Sequence, residues 1–191
     1  MAEEHGEVLE EELDPEREAR RRLALAQVRQ YPDPVLRMRA NEVAEFDDDL
    51  RRLVERMTQL MHDASGVGLA GTQVGTLQRV FVFQPHAEEE ARAIVNPRIV
   101  ARSDETVPDS EGCLSLQGVS VPVERALRIT LEGKDEQGED VRLELGGHPA
   151  RVAQHELDHL DGVLIIDRTT PEARREALGI LRPTPMLGAI G

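Results

Sequence analysis

Five consecutive residues, His155-Glu156-Leu157-Asp158-His159, hold the densest chemistry in the chain. On a helix, positions i and i+4 share a face, so both imidazoles can reach one metal ion from successive turns. Glu156 then stands beside the first imidazole, where it can meet a water on that ion and act as general base. The competing reading is a charged helix face turned to solvent, because a five-residue pattern also arises by chance. A catalytic site of this kind needs a third protein ligand and an open position for water. One known arrangement places a histidine six residues after the second, but Ile165 stands there and binds no metal. Glu172 and Glu176 offer carboxylates with nothing else around them to support the role. Cys113 is the lone cysteine. Its bland reading is a small buried hydrophobe; its chemical reading is a thiolate beside two imidazoles, a donor set suited to zinc or ferrous iron. A glycine-rich stretch, Gly66-Val-Gly-Leu-Ala-Gly-Thr-Gln73, lacks the lysine of a phosphate loop and on its own reads as a tight helix-to-strand turn.

These residues need elements to place them. Leu50, Leu53, Val54, Met57, Leu60 and Met61 follow helical spacing, with Asp47, Asp48 or Asp49 as cap and an end near Ser65-Gly66. The prolines of 31–34 predict a turn or extended stretch. Strands are expected over 79–84, 93–96 and 98–102, the last two separated by Pro97. Segments 127–132 and 141–145 alternate cleanly about a turn at 134–138, which predicts a hairpin. A helix starting near Pro149 carries the His-Glu pattern, and another follows Thr170 as cap with Pro171 at its first position. Helices and strands segregate, so the fold class is α+β: small antiparallel or mixed sheets packed around a central helix in the C-terminal half.

Composition sets the outer limits. At 191 residues the chain suits one domain. Aromatics make up 2%, so the core rests on aliphatic side chains. A net charge of −14 argues against broad binding to nucleic acid. No apolar run approaches the length that spans a bilayer, and 1–14 is acidic, unlike a secretory signal; a cytoplasmic location is expected. Residues 1–25, acidic and then arginine-rich, read as a charged extension, disordered or a solvated helix. The catalytic domain is expected over 26–182 and a tail over 183–191. His5, His62 and His86 read as surface residues.

GVGLAGTQ, EGCLS and QHELDH occur in that order, and together they resemble the three signature motifs of peptide deformylases. The likeness runs from about residue 28 to 181. It implies Cys113, His155 and His159 as ligands of one divalent ion, usually ferrous iron in that family, with zinc, nickel or cobalt as substitutes. It implies Glu156 as general base in removing the formyl group from N-formylmethionyl peptides. The Gln73 amide and the Leu114 N–H would face the developing charge on the formyl oxygen. The backbone of 66–70, with Gly66 and Gly68, would pair with an extended substrate. Val67, Leu69 and Val152 would border the methionine side chain, unless they are simply core. Transient ribosome contact is compatible with that role, and neither a membrane nor a specific nucleic acid is an expected partner.

Four departures stand out. Gly71 replaces a usual alanine, with at most a modest effect expected. Gln117 replaces a common proline. Ser120 stands where a basic residue is often found, with Arg125 nearby in sequence. His148-Pro149 replaces a usually apolar pair, one position of which often borders the methionine pocket; the histidine could alter side-chain preference or be a cap or an exposed turn residue. These departures keep two other readings open: a metallopeptidase or amidase acting on another acyl group, and a catalytically weak metal-holding or peptide-binding module.

Overall fold

The computed structural model describes residues 14–182. Helix α1 (Pro15–Leu25) is capped by Asp14 and packs on α2 (Asp48–Asp63). Asp47 caps α2 by accepting from the Leu50 N–H at 3.0 Å, as its position in the sequence suggests. Strands β1 (Gly68–Ala70), β2 (Val80–Phe83), β3 (Arg92–Arg102), β4 (Thr106–Gly112), β5 (Ser120–Ala126), β6 (Arg128–Lys134) and β7 (Asp140–Gly146) follow. Helices α3 (Gly147–Leu160) and α4 (Pro171–Leu181) complete the described chain. Strands β1, β2, β3, β6 and β7 form one antiparallel sheet in the order β1-β2-β3-β6-β7, and β4 pairs with β5 in a second, antiparallel ribbon. The class is α+β, as expected.

The large sheet is covered on both faces. Along β2, Val80 and Val82 point to α2, against Leu50, Val54, Met57 and Met61. Phe81 and Phe83 point the other way, towards Ala150, Ala153 and Leu160 of α3. A period-two strand buried on both sides reads as a continuous apolar run, which is why the segment shows little alternation in sequence. A third cluster joins Leu116, Val121 and Val123 to Leu164, Ile165, Ile166 and Ala177 of α4. Helix α3, which carries the His-Glu pattern, is thus held centrally, touching β1, β2, β5, β6 and β7.

Several expectations change. The turn expected over 31–34 forms at Tyr31-Pro32, but Pro34 goes on to open a short 3-10 turn, Pro34–Arg37, capped by Asp33; proline is tolerated in a first turn, where its missing N–H has no partner to lose. The segments either side of Pro97 form one strand, β3, with a register irregularity between Val95 and Arg98 that absorbs the missing donor. The β4–β5 hairpin was not foreseen, because TVPDSEG is largely exposed and rich in turn residues. The glycine-rich stretch does turn from α2 into a strand, β1, as its bland reading has it, and adds a 3-10 turn over Gly71–Val74.

Gly71, expected to have at most a modest effect, sits where a side chain meets backbone. A Cβ there would lie 2.7 Å from the Gln78 carbonyl oxygen and 3.3 Å from that of Val80. Both obstacles are backbone, which yields less readily than a side-chain tip. Gly71→Ala is therefore expected to lower stability by about 1–3 kcal/mol, read from the urea midpoint; an unchanged midpoint would show that the turn relaxes freely.

Candidate active site

Helix α3 and the end of β4 build the site between them. His155 and His159 lie on successive turns of α3, with Nε2 atoms 3.1 Å apart. Cys113 follows β4 directly, and its Sγ lies 3.3 Å from His159 Nε2. The three donor atoms all fall within 4.8 Å of one another, the one such group of potential ligands among the described residues. Donors about 2.0–2.3 Å from one tetrahedral ion stand roughly 3.3–3.7 Å apart, so the spacing suits a shared ion. Two buried polar atoms beside it, Glu156 Oε2 and His159 Nδ1, find no hydrogen-bond partner among the described residues. Burying such atoms unpaired is costly. An ion with a water on it would give the Glu156 oxygen a partner.

Glu156 is buried, its carboxylate lying against Gly68, where a Cβ would collide with it. Burial, with a smaller push from the charge of Glu111, raises its carboxyl pKa to about 7, against the pull of His155 and Arg125. A base poised near neutrality suits proton transfer. Gln73 is also buried. Its Oε1 accepts from the Ala70 N–H at 2.9 Å, which turns Nε2 towards Ser115 Oγ at 3.1 Å and Cys113 Sγ at 3.6 Å.

These groups open on a cleft of about 510 Å³ between the free edge of β1 and the β4–β5 ribbon. Gly66, Val67, Gly68, Gln73, Cys113, Leu114, Val152, His155 and Glu156 all face it. Leu69 does not: its side chain is fully buried in the core with α2. A strand alternates its side chains, so Leu69 must point away from the side that Gly68 presents. His148 is exposed and also faces the cleft. His62 and His86 are exposed, and His5 lies outside the described residues. Glu172 and Glu176 are exposed on α4, outside the donor group.

Glu111 is the residue that reading the sequence missed. It is buried, and its Oε2 accepts from Arg125 at 3.0 Å and pairs with His155 Nδ1 at 3.0 Å. Its Oε1 accepts from Arg125 and Arg151 at 2.9 and 2.8 Å. Arg125 continues to Asp158 at 2.6 Å. Arg125, near Ser120 in sequence, is therefore buried support and does not supply the basic group missing at Ser120. With the His155 Nδ1–H given to Glu111, Nε2 keeps its lone pair for a metal. Burial would raise the Glu111 pKa, but the hydrogen bonds from His155 and Arg125 hold it well below the ordinary 4.5. That stabilisation is full above the unfolded carboxyl's value and is lost as pH falls towards the folded one. Glu111→Gln is expected to cost about 3–5 kcal/mol of stability by leaving buried arginines short of a counter-charge, and to weaken metal binding roughly 10–100-fold. Calorimetric unfolding and metal titration check this; unchanged affinity would remove Glu111 as the orienting group. The signal was present in sequence only as the glutamate two residues before Cys113.

A thiol and two imidazoles at coordination spacing, with a buried glutamate beside the first imidazole, define the site of a metal-dependent hydrolase. Residues 25–175 match the family model for polypeptide deformylase. A peptide deformylase of Thermotoga neapolitana is 48% identical over 147 residues, covering 77% of this chain and 88% of that one. One from Acidothermus cellulolyticus is 44% identical over 166 residues, covering 87% and 91%. The crystal structure of the Thermotoga maritima enzyme superposes with a TM-score of 0.73 at 46% identity, covering 75% of this chain and 97% of that one. Arabidopsis thaliana peptide deformylase 1B, in complex with an inhibitor, gives 0.78 at 37% identity, covering 81% and 87%. The chain belongs to the polypeptide deformylase family. Among the described residues no helix is long and apolar enough to cross a membrane.

Proposed function

We propose that this chain removes the formyl group from N-formylmethionyl ends of new polypeptides, releasing formate, at the cleft lined by Cys113, His155 and Glu156, with His159 buried behind them. The observation that carries the reading is the convergence of those three donors with a buried, unpaired Glu156 oxygen. A divalent ion held by Cys113, His155 and His159 supplies Lewis acidity and lowers the pKa of a water. Ferrous iron is the reading we favour from the family, with zinc, nickel or cobalt as substitutes; a thiolate with two imidazoles suits such ions.

The chain's own groups do the rest. Glu156 takes the proton of the attacking water and delivers it to the leaving amine. The Gln73 Nε2 and the Leu114 N–H donate to the formyl oxygen as negative charge grows on it, each worth on the order of 3 kcal/mol in the barrier. The backbone of 66–68 pairs with the extended substrate as an added strand, since the outer edge of β1 has no strand beside it. Glycines allow that approach. Val67 and Val152 border the methionine side chain, with His148 at the rim.

We take 26–182 as the catalytic domain, with 1–25 and 183–191 as appendages. The reaction places it in the cytoplasm, with transient contact to the ribosome, where formylated chains emerge. A charge of −14 gives no support for specific nucleic-acid binding.

The test is formate release from formyl-Met-Ala-Ser by anaerobically purified protein with its metal quantified. Release that depends on the metal supports the reading. No release from folded, metallated protein would shift the assignment to another acyl substrate.

A further inference from the structure

Helix α1 lies almost wholly ahead of the residues that match the family model, which begin at 25. It nevertheless reaches the cleft. Arg21 forms part of the cleft wall beside Ser65 and Gly66. Arg17 lies one turn back on the same face of α1, and Arg20 immediately precedes Arg21 and shares a face with Arg17. They border an adjoining basin of about 410 Å³ with His62, Asp63 and the same Ser65 and Gly66. Cleft and basin thus share a wall. The helix is fixed there by Ala24, which is buried with α2 in the core, and by Val28 just beyond it. Asp63 is the single acid lining the basin, against two arginines and Arg21 beside them. Among the described residues none of the three arginines makes an ion pair. In a chain of net charge −14, a cationic mouth runs against the general trend.

The direction of the cleft places this feature along the substrate. The reacting end lies at Glu156 against Gly68. Inward, the wall closes on buried Gln73, so a peptide lying along 66–68 leaves past Ser65. An extended substrate advances about 3.3 Å per residue, so its second and third residues after the methionine lie roughly 7–10 Å from the first, on the side of the cleft where Ser65 and Arg21 stand. Resting on the deformylase reading above, we propose that Arg21, backed by Arg17 and Arg20, is an outer subsite recognising a carboxylate on the substrate two or three residues beyond its N-terminal methionine. A guanidinium matches a carboxylate with two parallel hydrogen bonds. The pair would sit near solvent, so its effect is a preference of about threefold to fivefold, weakened by salt.

The experiment compares kcat/KM for formyl-Met-Ala-Glu-amide with that for formyl-Met-Ala-Gln-amide, using metallated wild type, Arg21→Glu and Arg22→Glu. Arg22 is exposed and lines neither the cleft nor the basin, yet its reversal changes net charge equally. The ratio is internal to each protein, so a general change in activity does not disturb it. The expected result is a wild-type ratio above one at low salt, reversed by Arg21→Glu and kept by Arg22→Glu. A ratio of one in the wild type, or an equal shift in both variants, overturns the subsite. Formyl-Met-Ala-Gln with a free terminus is the control for the source of the carboxylate: preference for it alone, with the amide ratio at one, traces recognition to a peptide terminus that a longer chain does not carry there and overturns the subsite. Absence of formate from every peptide sinks the deformylase reading instead. In that case calorimetric titration with the same peptides still reads the charge preference, and equal affinities overturn the subsite.

Discussion

Glu156→Gln is expected to keep metal at the wild-type stoichiometry while kcat on a short formylated peptide falls by about 10²–10⁴-fold. The substitution is isosteric, so the contact with Gly68 survives. It should also fold well. Burial already holds the carboxyl pKa at about 7, so at neutral pH a neutral amide replaces a group that carries only part of its charge. What it removes is the basic oxygen, and with it both the proton taken from water and the one given to the amine. Elemental analysis and formate release measure the two halves separately. A near-normal rate would remove Glu156 as the base, and loss of the metal along with turnover would make its role structural.

Cys113→Ala is the second large effect. One of three donors disappears, and two imidazoles alone are a poor site for a catalytic ion. Metal content after dialysis against a chelator is expected to fall from about one ion per chain to about a tenth or less, with formate release falling in step. The fold should persist, because Cys113 is only half-buried and follows β4, whose seven-residue pairing with β5 holds without the sulfur. A circular-dichroism spectrum unchanged beside lost metal is the expected pair of observations. Stoichiometric metal retained by the variant would end the case for Cys113 as a ligand.

Gln73 shows how a polar side chain gains direction from the fold. The amide oxygen is tied to the Ala70 N–H, so the nitrogen must face Cys113. Sequence can name the glutamine, but only the 3-10 turn over Gly71–Val74 aims it.

Local patterns of residues determined a good deal by themselves. The helix from Asp48 was legible because its apolar positions recur at helical spacing and Asp47 is a strong cap. The β6–β7 hairpin was legible because half-buried strands alternate. His155 and His159 were legible as a pair because i and i+4 meet on any helix. The choice of Cys113 over Glu172 and Glu176 is different in kind. It depends on β4 ending beside α3, and β4 is too exposed and too rich in turn residues to announce itself as a strand. For Leu69 the core alternative holds, and the place of Arg125 was not legible, for a related reason. Each is near the motifs in sequence, but alternation along β1 turns one into the core, and the charges of Glu111 and Asp158 draw the other beneath the site. Glu111, Gly71 and Arg21 became visible only through contacts between elements far apart in the chain. Spacing along a chain reports which residues share an element; which elements face one another is set by how their buried surfaces pack, and the tertiary structure alone decided that.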